Sequence, residues 1–159
     1  MSITAVREYM RAFGMEEKIM EFTVSSATVE LAAQALGTEG ARIAKSLSFL
    51  TKEGPILVVA AGDAKVDNSK YKAMFHEKAK MIPFDQVEEL IGHAAGGVCA
   101  FAIRDNVRVY LDVSLRRFET VYPACGSANS AIELNMEQME QLSQNFAAWV
   151  DLCKGWQAE

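Results

Sequence analysis

A mixed α/β domain of the α+β type is predicted for this chain, on three observations. Segments of helical period alternate with short runs rich in β-branched and apolar residues. Those short strands outnumber what a simple doubly wound parallel sheet would need. No internal repeat and no low-complexity linker divides the 159 residues, so a single domain over 1–159 is expected.

The first helix is expected over residues 2–13, where Val6, Tyr9, Met10 and Phe13 recur at helical spacing. Ser2 or Thr4 would cap it and Gly14 would end it. Residues 19–24 read as a short strand through Ile19, Phe22 and Val24. Ser25 and Ser26 offer caps for a second helix over about 28–36, with Val29, Ala32, Ala33 and Leu36 as its apolar stripe before Gly37.

Residues 41–67, ARIAKSLSFLTKEGPILVVAAGDAKVD, form the centre of the chain: two apolar strands, a tight turn at Glu53-Gly54, and a polar loop at Gly62-Asp63. Lys45 stands at the start of the first strand between Ala44 and Ser46. A lysine contributes little to sheet stability there, so its ammonium either reaches solvent along its own stem or meets an anion. Both alternatives stay open on the residues alone.

A third helix is expected from Asp67-Asn68-Ser69 to about Phe75, a strand near 79–82, and a fourth helix near 84–91 that buries Val87, Leu90 and Ile91. Gly96-Gly97 then precede an expected strand, and paired glycines there permit a tight turn or a close approach to ligand. They lack the surroundings of a nucleotide-binding glycine loop. Residues 107–111 alternate as a strand, Val107, Val109 and Leu111 on one side and Arg108 and Tyr110 on the other. A single turn from Asp112 or Ser114 to Arg117 and a strand over 118–122 follow. The small-residue loop CGSANS, 125–130, leads to a strand over 131–134. Asn135 and Gln138 have capping-box spacing for the last helix. Phe146 to Leu152 reads as a final strand, with a helical end capped by Trp149 and Trp156 as the alternative.

Composition narrows the function. No apolar run approaches the roughly 20 residues of a membrane span, and nothing resembles a signal peptide, so the cytoplasm is the expected compartment. Cys99, Cys125 and Cys153 form no CxxC pair, and His76 and His93 belong to no metal-ligand spacing, so neither a disulfide framework nor a metal is expected. His93 reads as a surface residue. The net charge of −5 argues against a general nucleic-acid coat protein. Charge is uneven, however: residues 63–80 carry five lysines against three carboxylates, and residues 131–159 carry one lysine against five, Glu159 among them. A polyanion should therefore approach the middle of the chain.

The segments RIAKSLSF (42–49), VVAAGDAKVD (58–67), GGVCAF (96–101), VYLDVSL (109–115) and CGSANSAIEL (125–134), in that order, resemble the YbaK/EbsC (ProX-like) family of aminoacyl-tRNA editing domains. TVELAAQALG at 28–37 is similar as well. The resemblance extends to the editing insert of bacterial prolyl-tRNA synthetases. It implies one mixed β-sheet, curled toward a barrel and flanked by helices, with a pocket for the 3′ end of a charged tRNA. It also implies metal-free and cofactor-free hydrolysis of a mischarged small amino acid, of the Cys or Ala class, from tRNA, with tRNA(Pro) the expected acceptor. A synthetase is a further expected partner.

Residue by residue, the family's essential lysine falls on Lys45. Its GD motif falls on Gly62 and Asp63, its glycine loop on Gly96, Gly97, Val98 and Cys99, and its small-residue loop on Gly126 and Ser127. Arg42, Lys65, Lys70 and Lys72 are the candidate phosphate contacts. Asp63 either holds the pocket or caps its own turn. Ser127 and Ser130 either contact ligand or bond to their own backbone. Cys99 is read as pocket-lining rather than nucleophilic, because no general base accompanies it. One departure stands out: the family's glycine loop continues into a proline, where this chain has Ala100. Losing that fixed φ frees the pocket edge. It supports an alternative, a non-catalytic module that binds a tRNA 3′ end, a nucleotide or a small amino-acid derivative.

Overall fold

The hairpin at the middle of the sequence is also the middle of the sheet. The structure, a computed structural model, describes residues 2–156, so the Ser2 side chain offered as a cap and Glu159 lie outside what is described. In chain order the elements are α1 (Ser2–Arg11), β1 (Met20–Glu21), α2 (Val29–Leu36), β2 (Ile43–Thr51), β3 (Gly54–Ala61), β4 (Lys65–Val66) and α3 (Asn68–Phe75). There follow α4 (Val87–Ile91), β5 (Arg108–Asp112), β6 (Thr120–Pro123), β7 (Ser130–Ala131), β8 (Leu134–Asn135), α5 (Met136–Leu142), β9 (Phe146–Val150) and β10 (Cys153–Lys154). Six strands form one curled mixed sheet in the order β8-β6-β2-β3-β5-β9. Two short ladders, β1 with β7 and β4 with β10, stand beside it.

The run of β-branched and small apolar residues in β3 explains its place. It pairs antiparallel with β2 and parallel with β5, and Pro55 to Ala61 are all buried. One face of this core carries Ala44, Leu57, Val59, Val109 and Leu111 against α1, α4 and α5 through Met10, Ile91 and Met139. The opposite face carries Phe49, Ile56, Val58 and Tyr110 against α3 through Tyr71 and Phe75. The alternation read in 107–111 thus becomes two packed faces.

Local signals set several boundaries. Asp67 caps α3 by accepting from the N–H groups of Ser69 and Lys70, and Asn135 with Gln138 closes a capping box on α5. The cap of α2 is Thr28, whose hydroxyl accepts from Leu31 N–H, rather than Ser25 or Ser26. Other expectations change. The strand of 19–24 shrinks to the two residues of β1, and 131–134 splits between β7 and β8. The strand expected near 79–82 does not form; that segment lies along β2 with a single bridge between Phe49 and Met81. No strand follows Gly97 either, because Ala100 and Phe101 direct their carbonyls to Gln144 and His93 instead of a ladder. Phe146–Val150 is the edge strand β9.

Candidate functional site

A cleft of about 390 Å³ opens where the outer edge of β2 loses its neighbour. The volume lies within the roughly 300–1,000 Å³ of small-ligand sites. β2 pairs with β6 only at Ile43 and Ala44. The edge is met again further on, where Ile82 N–H donates to Ser48 O (3.1 Å) and Leu50 N–H donates to Lys80 O (2.8 Å). Period-two alternation turns the main-chain N–H and C=O of Ser46 to the same edge as those of Ser48 and Leu50. Ser46 lines the cleft, so this gap in the sheet offers a main-chain donor and acceptor.

The walls come from distant segments. Ser26, Thr28 and Val29, at the start of α2, form one side. Ala95, Gly96 and Val98 of the glycine loop form another, with Tyr122, Ala124 and Ser130 beyond them. Met81, Ile82 and Phe84 make the rim. Lys45 is the one lining residue with a charged side chain.

The Lys45 side chain is half-buried, and among the described residues no carboxylate pairs with its amine. It donates to two main-chain carbonyls, Gly62 O (3.3 Å) and Ala64 O. An ammonium has three donors, so one remains after both carbonyls are served. Burial pulls its pKa below the ordinary lysine value, with the Asp63 carboxylate acting in the opposite direction. The cradle is tight because Gly62 has no side chain: a Cβ there would overlap Gly40 O and press on Val29 Cγ1 at 2.8 Å. Glycine at 62 therefore lets the loop after β3 close against the start of α2.

Asp63 does not line the cleft. Its carboxylate takes a bidentate pair from Arg117, Nη1 to Oδ2 at 3.0 Å and Nη2 to Oδ1 at 2.5 Å. That hydrogen-bonded guanidinium holds the Asp63 carboxyl below its ordinary value. Asp63 acts on the site at one remove, by fixing the loop that carries the lysine's acceptors. Gly97 and Gly126 are also structural: a Cβ on Gly97 would stand 2.8 Å from Gly126 C and from Ser127 N. The two small-residue loops thus touch backbone to backbone, which brings Gly96 and Val98 to one side of the cleft and Ser130 to another. Ser127 Oγ stands within hydrogen-bond distance of Ser130 Oγ (2.7 Å) and of Asn129 Oδ1 (3.0 Å), its one O–H serving a single acceptor, rather than lining the cleft.

Behind the glycine loop the structure corrects the reading of His93, which is buried rather than on the surface. Its Nε2 lies 2.6 Å from Phe101 O, which fixes that nitrogen as the donor, and Nδ1 has no partner. Cys99 Sγ lies 3.5 Å from the same ring. Burial pushes the Cys99 thiol up to about 12, so it stays protonated and is no nucleophile. Gln144 holds the next residues: its N–H donates to Ala100 O (2.8 Å), and its side-chain amide exchanges bonds with Ile103 N–H and C=O. Hydrogen bonds therefore hold the loop where the family pattern has a proline.

Burial also lowers the His93 pKa. The unfolded chain then takes up a proton near pH 6.5 that the folded chain refuses. Stability should fall as pH drops below about 6.5, with a slope of up to about 1.4 kcal/mol per pH unit from this group. Denaturant midpoints between pH 7.5 and 5 check this, and His93→Gln should flatten the slope. Equal slopes in the two proteins would refute it.

The four basic candidates differ in freedom. Arg42 is tied to Thr120 and Glu133 and stacks over Tyr122. Lys70 is tied to Asp151 (2.9 Å) and to Cys153 O. Lys65 and Lys72 are exposed. Among the described residues, no three His, Cys, Asp or Glu side chains are grouped to hold a metal ion, and no helix is long and apolar enough to cross a membrane. Sequence reading missed Ser26, Thr28, Ser46 and the Met81–Phe84 rim. The available signals were the Thr28 cap and an apolar pair, Met81 and Phe84, too polar in its flanks for a core helix.

Residues 23–142 match the aminoacyl-tRNA editing domain family. The chain is 49% identical over 158 residues to YwhH of Bacillus subtilis (strain 168), an uncharacterized protein, covering 99% of this chain and 100% of that one. It is 30% identical over 104 residues to the proline–tRNA ligase of Aquifex aeolicus (strain VF5), covering 63% of this chain and 18% of the ligase. Among solved structures, a proposed trans-editing enzyme for prolyl tRNA synthetase superposes with a TM-score of 0.84 at 28% identity, covering 97% of this chain and 98% of that one. The protein APE2540 gives 0.83 at 25% identity, covering 94% and 99%.

Proposed function

The chain belongs to the family of aminoacyl-tRNA editing domains, and on that footing we propose that it is a deacylase acting in trans. Its substrate is the ester of a mischarged small amino acid, of the cysteine or alanine class, on tRNA, with tRNA(Pro) as acceptor. It works in the cytoplasm beside an aminoacyl-tRNA synthetase. The observation that carries this reading is Lys45, its amine held by two carbonyls with a donor to spare, on the strand that lines a cleft with no histidine, cysteine or carboxylate among its described lining residues.

Such a site suits an ester that is already activated. Water attacks the ester carbonyl, and negative charge grows on its oxygen. Lys45 stabilises that charge from a fixed position, as preorganised donors do. The carbon–oxygen bond to the terminal ribose then breaks, and the proton lost by the attacking water passes to the departing ribose oxygen, with the neighbouring ribose hydroxyl as relay. The products are the free amino acid and uncharged tRNA. Gly96 and Val98 shape the acyl side directly. Gly62, Asp63, Gly97, Cys99, Gly126 and Ser127 act by holding the loops that carry it. Of the candidate phosphate contacts Arg42, Lys65, Lys70 and Lys72, the exposed pair Lys65 and Lys72 is the freer to serve, Arg42 and Lys70 being paired with Glu133 and Asp151.

Incubation with Ala-, Cys- and Pro-charged tRNA(Pro) tests it. Release of alanine or cysteine, with Pro-tRNA(Pro) spared, is the expected result. No release above the buffer rate from any of them would overturn it, and saturable binding without turnover would replace it with the non-catalytic alternative.

A further inference from the structure

Phe84 is 82% exposed and Met81 57% exposed, yet both line the rim of the cleft. Two large apolar side chains this exposed stand together at the mouth of the cleft that Lys45 lines, a grouping that marks an interaction site more than a lone exposed residue would. The backbone that carries the ring is anchored on both sides. Ile82 and Val87, on either side, are buried, and Ile82 N–H is tied to Ser48 O on β2. Gln86 N–H donates to Pro83 O (2.9 Å), closing the turn that carries Phe84.

The same segment leads to a second hollow of about 350 Å³, lined by Asn68, Ser69, Lys72, Lys78 and Ala79. Among the described residues neither Lys72 nor Lys78 is in an ion pair, whereas Lys70, Arg42 and Arg117 are. Ala79 in that hollow and Ile82 in the cleft are three residues apart, roughly 10 Å of extended chain. An exposed aromatic ring on an anchored turn, beside unpaired cations, is the surface that single-stranded nucleic acid uses, bases stacking on the ring and phosphates meeting the lysines.

We propose that Lys78–Phe84 is the track along which the single-stranded 3′ end of the RNA enters the cleft. Phe84, backed by Met81, stacks on the terminal base, and Lys72 and Lys78 hold the phosphates that follow. This rests on the deacylase reading for the identity of the ligand. It moves the RNA path away from Arg42 and Lys70, whose charges are already spent on Glu133 and Asp151.

The test is direct binding of a short, uncharged, labelled RNA ending in CCA, measured by fluorescence anisotropy. Phe84→Ala should weaken binding about tenfold or more, within the range of base–aromatic stacking, and Phe84→Trp should restore it. Replacing the terminal adenine by an abasic residue should erase the difference between wild type and Phe84→Ala, a result that general damage to the fold would not give. Lys72→Gln and Lys78→Gln should each flatten the salt dependence by about 0.7 in log–log slope. Unchanged affinity in Phe84→Ala, an equal loss with the abasic RNA in both proteins, or no binding by the wild type would overturn the track. Phe84-dependent binding without hydrolysis of any charged tRNA would keep the track and sink the deacylase. Hydrolysis with kcat/KM unaffected by Phe84→Ala would do the reverse.

Discussion

Lys45→Ala should lower the turnover of a mischarged tRNA by about 10²- to 10³-fold, the usual loss when one preorganised donor to a developing oxyanion is removed. The reason lies in how the amine is held. Gly62 O and Ala64 O take two of its donors, so the remaining one points without any cost of reorganisation when charge appears on the ester oxygen. Lys45→Arg should not rescue the rate, because a planar guanidinium fork cannot occupy a cradle built for three tetrahedral donors. The fold should survive: Lys45 is only half-buried, so water can reach the two freed carbonyls, and the expected destabilisation is about 1 kcal/mol. Single-turnover hydrolysis beside thermal unfolding separates the two effects. A rate within threefold of wild type would count against this role.

Gly62→Ala should be the most destabilising single methyl on this face of the protein. The added Cβ would overlap Gly40 O, a backbone atom that cannot rotate away, and would crowd Val29 Cγ1. Overpacking of this kind costs typically about 1–3 kcal/mol, and a backbone obstacle puts the change at the upper end. For a chain of 159 residues that corresponds to a fall of roughly 6–12 °C in Tm. Activity should fall as well, since the carbonyl of the same residue anchors Lys45. Gly40→Ala is the control: its Cβ meets only Val29 Cγ1 at 3.3 Å, and a side chain can yield, so a shift of less than half that size is expected. Equal melting temperatures for the two variants would show that the loop after β3 is not seated as described.

What was legible in the sequence was what neighbours in the chain decide. The hairpin of β2 and β3, the capping box at Asn135 and Gln138, the Asp67 cap of α3 and the alternation in β5 each depend on residues within a few positions of one another. The resemblance supplied the curled mixed sheet, which the structural comparisons bear out. Long-range partners were illegible. Nothing near Lys45 announces that residues 17 and 19 positions onward will supply its acceptors. His93 sits in a run of small residues that reads as an exposed loop, yet Phe101 O draws it inside. The segment 79–82 has a strand's composition, but its bonds to β2 are too few to make one. The pairing of β4 with β10 rests on two residues in each strand, below any periodic signal. In the cleft, Ser26 and Thr28 belong to a helix start whose chemistry looks like capping alone, and the exposure of Phe84 is a tertiary fact.

The most direct measurement pairs two quantities in the wild type and Lys45→Ala: the single-turnover rate of alanine release from Ala-tRNA(Pro), and the Kd for the same RNA carrying a non-hydrolysable amide in place of the ester. The account predicts a rate at least a hundredfold lower in the variant, with the Kd changed by less than tenfold. An unchanged rate, or a loss carried wholly by the Kd, would contradict the claim that the held amine of Lys45 acts on the ester itself.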